Sequence, residues 1–161
     1  MDNGIRRARP DDAGGCARVH SQAWQETYTG LVAPEYLAGR TEEYSLRLFH
    51  NNGCRDMFVA VEDGEIVGFS GLAKTQGPDA GEIQAVYVLK KAQGRGLGRA
   101  LLDKALEELK ARGFTKAVLW VLSTNKKAIG FYEHVGLTFN GVEKEETLGT
   151  PVVERQYEKA L

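Results

Sequence analysis

The chain has 161 residues, with 21 Lys and Arg against 22 Asp and Glu, a formal charge of −1 and a pI near 6.3. That length suits one domain with a core of its own, and so even a charge offers neither nucleic acid nor an acidic membrane the basic face that either requires. Cys16 and Cys54 lack CxxC spacing, which argues against a disulfide framework or zinc site; no apolar run nears the ~20 residues of a membrane span and the first residues carry no apolar leader core, so a cytoplasmic protein is expected.

"GIRRARPDD" reads as a short opening strand that Pro10 and the following acids turn into a helix start, because proline suits a first helical turn and acids favour a helix amino end. The helix is expected to reach about Tyr28. "TGLVAP" breaks it, and a second helical region spans Pro34 to His50 in one or two pieces. In "MFVAVEDGEIVGFSGLAK" two β-rich runs flank Asp63-Gly64, a dipeptide that reaches positive φ at low cost, so strands two and three form a tight hairpin. After the loop "TQGPDAG", "EIQAVYVL" is the fourth strand.

Leu97, Leu101, Ala105 and Leu109 then recur every four residues, the stripe of an amphipathic helix that Gly113 ends. "KAVLWVL" is apolar on both alternating faces, as in a central strand covered on both sides. Ser123, Thr124 and Asn125 are candidate caps for a last helix that stops at Gly136. "LTFNGVEKEE" and "TPVVERQYEK" close the chain as strands. The order β, α, α, β, β, β, α, β, α, β, β predicts an α/β fold, a mixed sheet of about seven strands flanked by about four helices on both faces.

The stretch "QGRGLG", Gln93 to Gly98, joins the fourth strand to the long helix. The first N–H groups of a helix have no partner within it and sit at the positive end of the macrodipole. Glycines there remove the Cβ atoms that would hold an anion away, and Arg95 and Arg99 can add charge, so the loop reads as a cradle for a pyrophosphate. A Walker loop would need Lys-Ser/Thr after Gly98, where Arg99 and Ala100 stand. A dinucleotide fingerprint would need glycine at Arg99 or Leu101. A flexible connection without a ligand is the plain alternative.

What fits is [Gln/Arg]-x-x-Gly-x-[Gly/Ala], met by Gln93, Gly96 and Gly98. With "STNKKAIGFYEHVGL" downstream, "AVEDGEIVGFSGL" upstream and the closing "VVERQYE", nearly the whole chain resembles the GNAT superfamily of acetyl-coenzyme A dependent N-acetyltransferases. The resemblance implies a mostly antiparallel sheet opened between strands four and five, with acetyl-CoA as cosubstrate and no metal. Backbone amides of Gly94, Arg95, Gly96, Leu97, Gly98 and Arg99 would hold the pyrophosphate. Val86, Tyr87 and Val88 would pair with the pantetheine arm as if it were an added strand. Asn125, Ala128 and Phe131 would line the opposite side. Many relatives dimerise through their last strands, so a homodimer is a further expectation.

Acetyl transfer to an amine needs a base for the nitrogen, a polarised carbonyl and a proton for the departing thiolate. The resemblance puts Tyr132 near the coenzyme sulfur as the acid and Glu82 where relatives carry a glutamate base. Tyr132 also reads as a core aromatic, and Glu82 as a solvated or salt-bridged strand-end residue. A backbone N–H of the fourth strand would polarise the carbonyl. Trp24, Glu26 and Tyr28 fall in the region that walls the acceptor pocket in relatives, although Trp24 and Tyr28 at i, i+4 also suit core packing. His20, His50 and His134 have no joint metal-ligand spacing. The expected acceptor is a primary amine of a small molecule or peptide, attacking directly in a ternary complex; a non-catalytic acyl-CoA sensor is the alternative.

Overall fold

The computed structural model describes residues 4–74 and 76–161; the first three residues, and Thr75 of the loop before the fourth strand, lie outside them. Strand β1 (Gly4–Arg7) runs through a 3-10 turn at Pro10–Asp12 into α1 (Ala13–Tyr28). Asp12 organises that turn: its carboxylate accepts the Arg9 amide at 2.7 Å and both Arg6 guanidinium nitrogens at 2.7 and 2.9 Å. The hydrogen bond from Arg6 holds the Asp12 carboxyl below its usual range. The second helical region divides into α2 (Pro34–Ala38) and α3 (Glu42–Asn52), because Thr41 starts a new helix by accepting the Tyr44 amide on its hydroxyl at 3.1 Å.

Strands β2 (Met57–Glu62) and β3 (Glu65–Leu72) form the expected hairpin, with φ of 52° at Asp63 and 78° at Gly64. Positive φ at both central positions matches the right-handed twist of the strands. There follow β4 (Gly81–Val88), α4 (Leu97–Ala111), β5 (Lys116–Leu122), α5 (Lys126–His134), β6 (Thr138–Thr147) and β7 (Pro151–Ala160). Among the described residues, no helix is long and apolar enough to cross a membrane.

The seven strands lie in the order β1-β2-β3-β4-β5-β7-β6, antiparallel except for β4 and β5. That parallel pair is matched only at Gly81 with Ala117 and Glu82 with Val118, after which the two strands part. On its other edge β4 stays paired with β3 from Ile83 to Val88. Gly71 opposes Ala85 and Leu72 opposes Ile83, so Gln84 is an extra residue in β4. Such a bulge bends its strand and increases local twist. It lies just beyond the last β4–β5 pair, where the sheet opens.

One face of the sheet is covered by α1 and α3, with Val19, Ala23 and Phe49 against Val59 and Phe69. The other carries α4, whose Leu102, Ala105 and Leu109 pack on Ile83 and Leu119. Strand β5 is less covered than its apolar sequence predicts. Ala117, Leu119 and Val121 lie in the core shared with α4 and α5. On the opposite face Leu122 meets Val32 and Leu37, while Trp120 is half-buried with the Lys144 ammonium 4.2 Å from its ring centroid. The separation of β4 from β5 leaves Trp120 on the wall of a cleft. Cys16 and Cys54, distant in sequence, are both buried and free; contact with Cys54, with burial, pushes the Cys16 thiol up.

Candidate active site

The parted strands open a cleft of about 1920 Å³ that runs from the start of α4 to the aromatic face of α1. Its first wall is the edge of β4. The Leu89 amide donates to the Val67 carbonyl across the β3 side at 2.9 Å. Backbone groups alternate sides along a strand, so Tyr87 also bonds toward β3 while Val86 and Val88 turn theirs to the gap. The Val88 carbonyl confirms this direction, since it accepts the Gln93 side-chain amide at 3.0 Å. The same Gln93 accepts from Lys127 Nζ at 2.7 Å, fastening the glycine loop to both β4 and α5.

At the end of that wall the chain turns through Gly94 and Gly96, with φ of 82° and 80°, a region only glycine enters freely. Among the described residues the amides of Gly94 through Arg99 make no hydrogen bond; the first backbone bond of α4 is donated by Ala100 to the Gly96 carbonyl. Gly98 differs from its neighbours. Its φ is ordinary and a Cβ there would stand 3.5 Å from Phe131, a normal contact. Neither backbone nor packing demands glycine at 98. Arg99 lines the cleft. Arg95 does not: its guanidinium is turned to Glu62 at 2.9 Å and to the Lys91 carbonyl, so only its amide remains for the cradle.

The facing wall is α5. Of the candidate caps, Asn125 takes the role, its Oδ1 accepting the Ala128 amide at 3.2 Å. Asn125, Ala128, Phe131 and Tyr132 all line the cleft. Phe131 and Tyr132 join the core beneath α4, their ring centroids 5.4 Å apart. The Tyr132 hydroxyl has no hydrogen-bond partner among the described residues, and burial, then the nearby Tyr28, raises its pKa well above the usual phenol value. It therefore stays protonated and free to donate.

At the far end Trp24 and Tyr28 do both things their spacing allows. Their rings meet at a tilt of 52°, centroids 4.4 Å apart, in a core with Val32 and Leu122, and both face the cleft. The Trp24 indole N–H lies near the Tyr87 hydroxyl without completing a hydrogen bond. Glu26 lies outside the cleft: its carboxylate accepts the Lys90 amide at 3.0 Å and holds the turn after β4. Glu82 also lies outside the lining, half-buried at the last β4–β5 pair, with its backbone held by the Gln76 side chain.

Residues 17–137 match the sequence model of the acetyltransferase (GNAT) family, well over half of the chain. The chain belongs to the GNAT family. It is thus an acetyl-CoA dependent acyltransferase. No curated protein sequence matches it. Among solved structures, PaiA N-acetyltransferase from Thermoplasma acidophilum in complex with coenzyme A is similar over 100% of both chains at 22% identity, with a TM-score of 0.81. Ribosomal-protein-alanine N-acetyltransferase from Brucella melitensis is 21% identical over 98% of this chain and 99% of its own, TM-score 0.76. The yncA acetyltransferase from Salmonella typhimurium, solved with acetyl-CoA, is 20% identical over 100% of this chain and 95% of its own, TM-score 0.75. At such identities the likeness is one of fold.

Further side chains of this GNAT enzyme reach the cleft without having been singled out from sequence, among them Lys127, Arg40 and Glu154. Glu154 pairs with Leu122 across β5 and β7. Paired residues share a face, so it points to the side of Trp24 and Tyr28. Burial raises its pKa; Lys144 opposes this, while Glu146 and Glu82 add to it. Nothing in "VVERQYE" separates Glu154 from Glu158. Only the pairing of β7 with β5 puts the first beside the opening and the second beside Val118.

Proposed function

We propose that the enzyme transfers an acetyl group from acetyl-CoA to the primary amine of a small molecule or peptide, by direct attack in a ternary complex. One observation carries the reading: the glycine loop, with amides from Gly94 to Arg99 that are unbonded among the described residues, and the unpaired edge of β4 border the same cleft as the Tyr132 hydroxyl. When bound, the coenzyme supplies an acetyl thioester, a carbonyl activated toward amines.

The protein's share can be assigned residue by residue. Amides of Gly94 to Arg99, with the Arg99 and Lys127 charges beside them, hold the diphosphate at the positive end of α4. Val86 and Val88 offer edge amides and Tyr87 keeps that edge rigid through its bonds to β3; one such amide polarises the thioester carbonyl. Asn125, Ala128 and Phe131 close the opposite side and exclude water.

Tyr132 presents its proton to the departing sulfur. A thiolate is a weaker base than phenolate, so the hydroxyl acts as a hydrogen-bond donor to the developing charge. At the amine, Glu154 is a half-buried carboxylate on the face of Trp24 and Tyr28, and burial, by raising its affinity for protons, suits it to accept one. Glu82, behind it, acts through its charge on Glu154 or through water. Strand β6 forms the outer edge of the sheet and exposes Phe139 and Val142, the surface on which two copies would pair.

Thiol release from acetyl-CoA across polyamines, amino acids, aminoglycosides and peptide amino termini tests the reading. Turnover with at least one class is expected; tight coenzyme binding without turnover on any would make the protein an acyl-CoA sensor instead.

A further inference from the structure

Among the described residues, Arg9, Arg40 and Arg55 are the arginines with no carboxylate within 4.0 Å. Arg9 and Arg55 are exposed, and Arg55, which also borders the cleft, donates its Nε to the Asn52 carbonyl at 3.3 Å. Arg40 is half-buried and lines the cleft. It follows α2 directly, and its guanidinium is enclosed by aromatic rings, 4.5 Å from the Tyr36 centroid, 4.7 Å from Tyr44 and 5.1 Å from Trp24. The Tyr36 hydroxyl accepts one of its N–H groups. A guanidinium carries five donors, so most of this fork is unused.

Aromatic faces fix the position of a cation but do not neutralise it. The positive charge is felt in the surroundings: burial lowers the pKa of His20 to about 4, and Arg40 contributes to the shift. His20 is thereby kept neutral, donating or accepting with Ser45 at 2.8 Å. It does not compete for an anion. Trp24, under Arg40, packs against Tyr28, and Tyr28 senses the Glu154 charge. The acceptor end of the cleft therefore places a held cation and a half-buried carboxylate on either side of the Trp24–Tyr28 pair.

We infer that Arg40 is the anchor for a carboxylate on the acceptor, so that the substrate class is an amine that also bears a carboxylate, an amino acid or a peptide with a nearby carboxyl group. The inference rests on the acetyl-transfer reading and narrows its acceptor. The unused edge of the guanidinium receives the carboxylate in two parallel N–H···O bonds, while the substrate amine lies toward Glu154 and Tyr132. Arg40 acts in recognition and touches no reacting atom.

The test compares two product analogues of equal length, N-acetylglycine and N-acetylethanolamine, titrated by calorimetry into the full chain with and without coenzyme A. At least tenfold tighter binding of N-acetylglycine is expected, weakening as salt is raised. Arg40→Gln should remove that preference and leave the coenzyme Kd unchanged, while Arg40→Lys keeps part of it. Equal binding of the two analogues by the unaltered protein, tighter binding of the uncharged one, or a preference that survives Arg40→Gln would overturn the inference. The comparison of analogues on the unaltered protein decides the matter even if Arg40→Gln fails to fold. Absence of coenzyme A binding would instead remove the acetyl-transfer reading, and the titrations without coenzyme would still report on Arg40.

Discussion

The Tyr28 hydroxyl lies 3.3 Å from the Tyr87 hydroxyl, joining the end of α1 to the end of β4. Burial raises the pKa of both phenols, so the bond holds across the pH range in which the protein is folded. It fixes the aromatic wall of the cleft against the strand proposed to receive the coenzyme. Tyr28→Phe removes one hydroxyl without changing shape and should cost about 1 kcal/mol in denaturant unfolding. The acceptor KM should rise while the coenzyme Kd stays the same; a change in coenzyme affinity instead would place Tyr28 in the wrong half of the cleft.

Among the described residues Tyr132 makes no competing bond, and burial keeps its proton in place. Tyr132→Phe is expected to lower kcat by about 10²-fold, the lower range for loss of a positioned proton donor, with the coenzyme Kd nearly unchanged. Steady-state kinetics beside calorimetry separates the two. Unchanged kcat would return the residue to a packing role beside Phe131.

Glu154 and Glu82 are distinguished by pH. A base must be unprotonated to act, so the rate falls on acidification through the base's pKa, which burial and two acidic neighbours raise for Glu154. Glu154→Gln should abolish the acidic limb of the kcat/KM profile and lower its plateau by about 10²-fold. Glu82→Gln removes one of the charges that raise Glu154, so the limb should move to lower pH and remain. Loss of the limb in Glu82→Gln would make Glu82 the base.

Neutral, enclosed His20 makes stability pH-dependent. The unfolded chain takes up a proton near pH 6.5, whereas the folded protein does so only near 4. Stability is then full above pH 6.5 and declines as pH falls toward 4, by up to about 3 kcal/mol. Urea unfolding at pH 7.5 and 4.5 measures this. The double variant His20→Phe with Ser45→Ala, which removes both ends of their hydrogen bond, should flatten the dependence; an equally steep decline would assign it to other groups.

The strands and helices were legible because their signals are local. Asp63-Gly64 fixes one hairpin, the four-residue leucine spacing fixes α4, and the glycine loop announces a helix start that needs bare backbone. What escaped sequence reading depends on long-range pairing. The bulge at Gln84 has no sequence mark, since glutamine suits a regular strand as well as an extra residue. Arg95 and Arg99 look alike in "GRGLGR", yet Glu62 from the hairpin draws the first away. Glu26 seemed to belong to the acceptor wall, but the turn after β4 claims its carboxylate. Glu154 and Arg40 reach the cleft only through pairing of β7 with β5 and packing of the segment after α2 on Trp24.

The proposed grip of the Gly94–Arg99 amides on the diphosphate is most directly tested by backbone ¹H–¹⁵N spectra recorded while coenzyme A is added. Gly94 to Arg99 should show the largest shifts, with Val86 and Val88 next and Tyr87 smaller because its amide is already bonded to β3. Shifts centred elsewhere on the protein, with those six amides unmoved, would contradict the account.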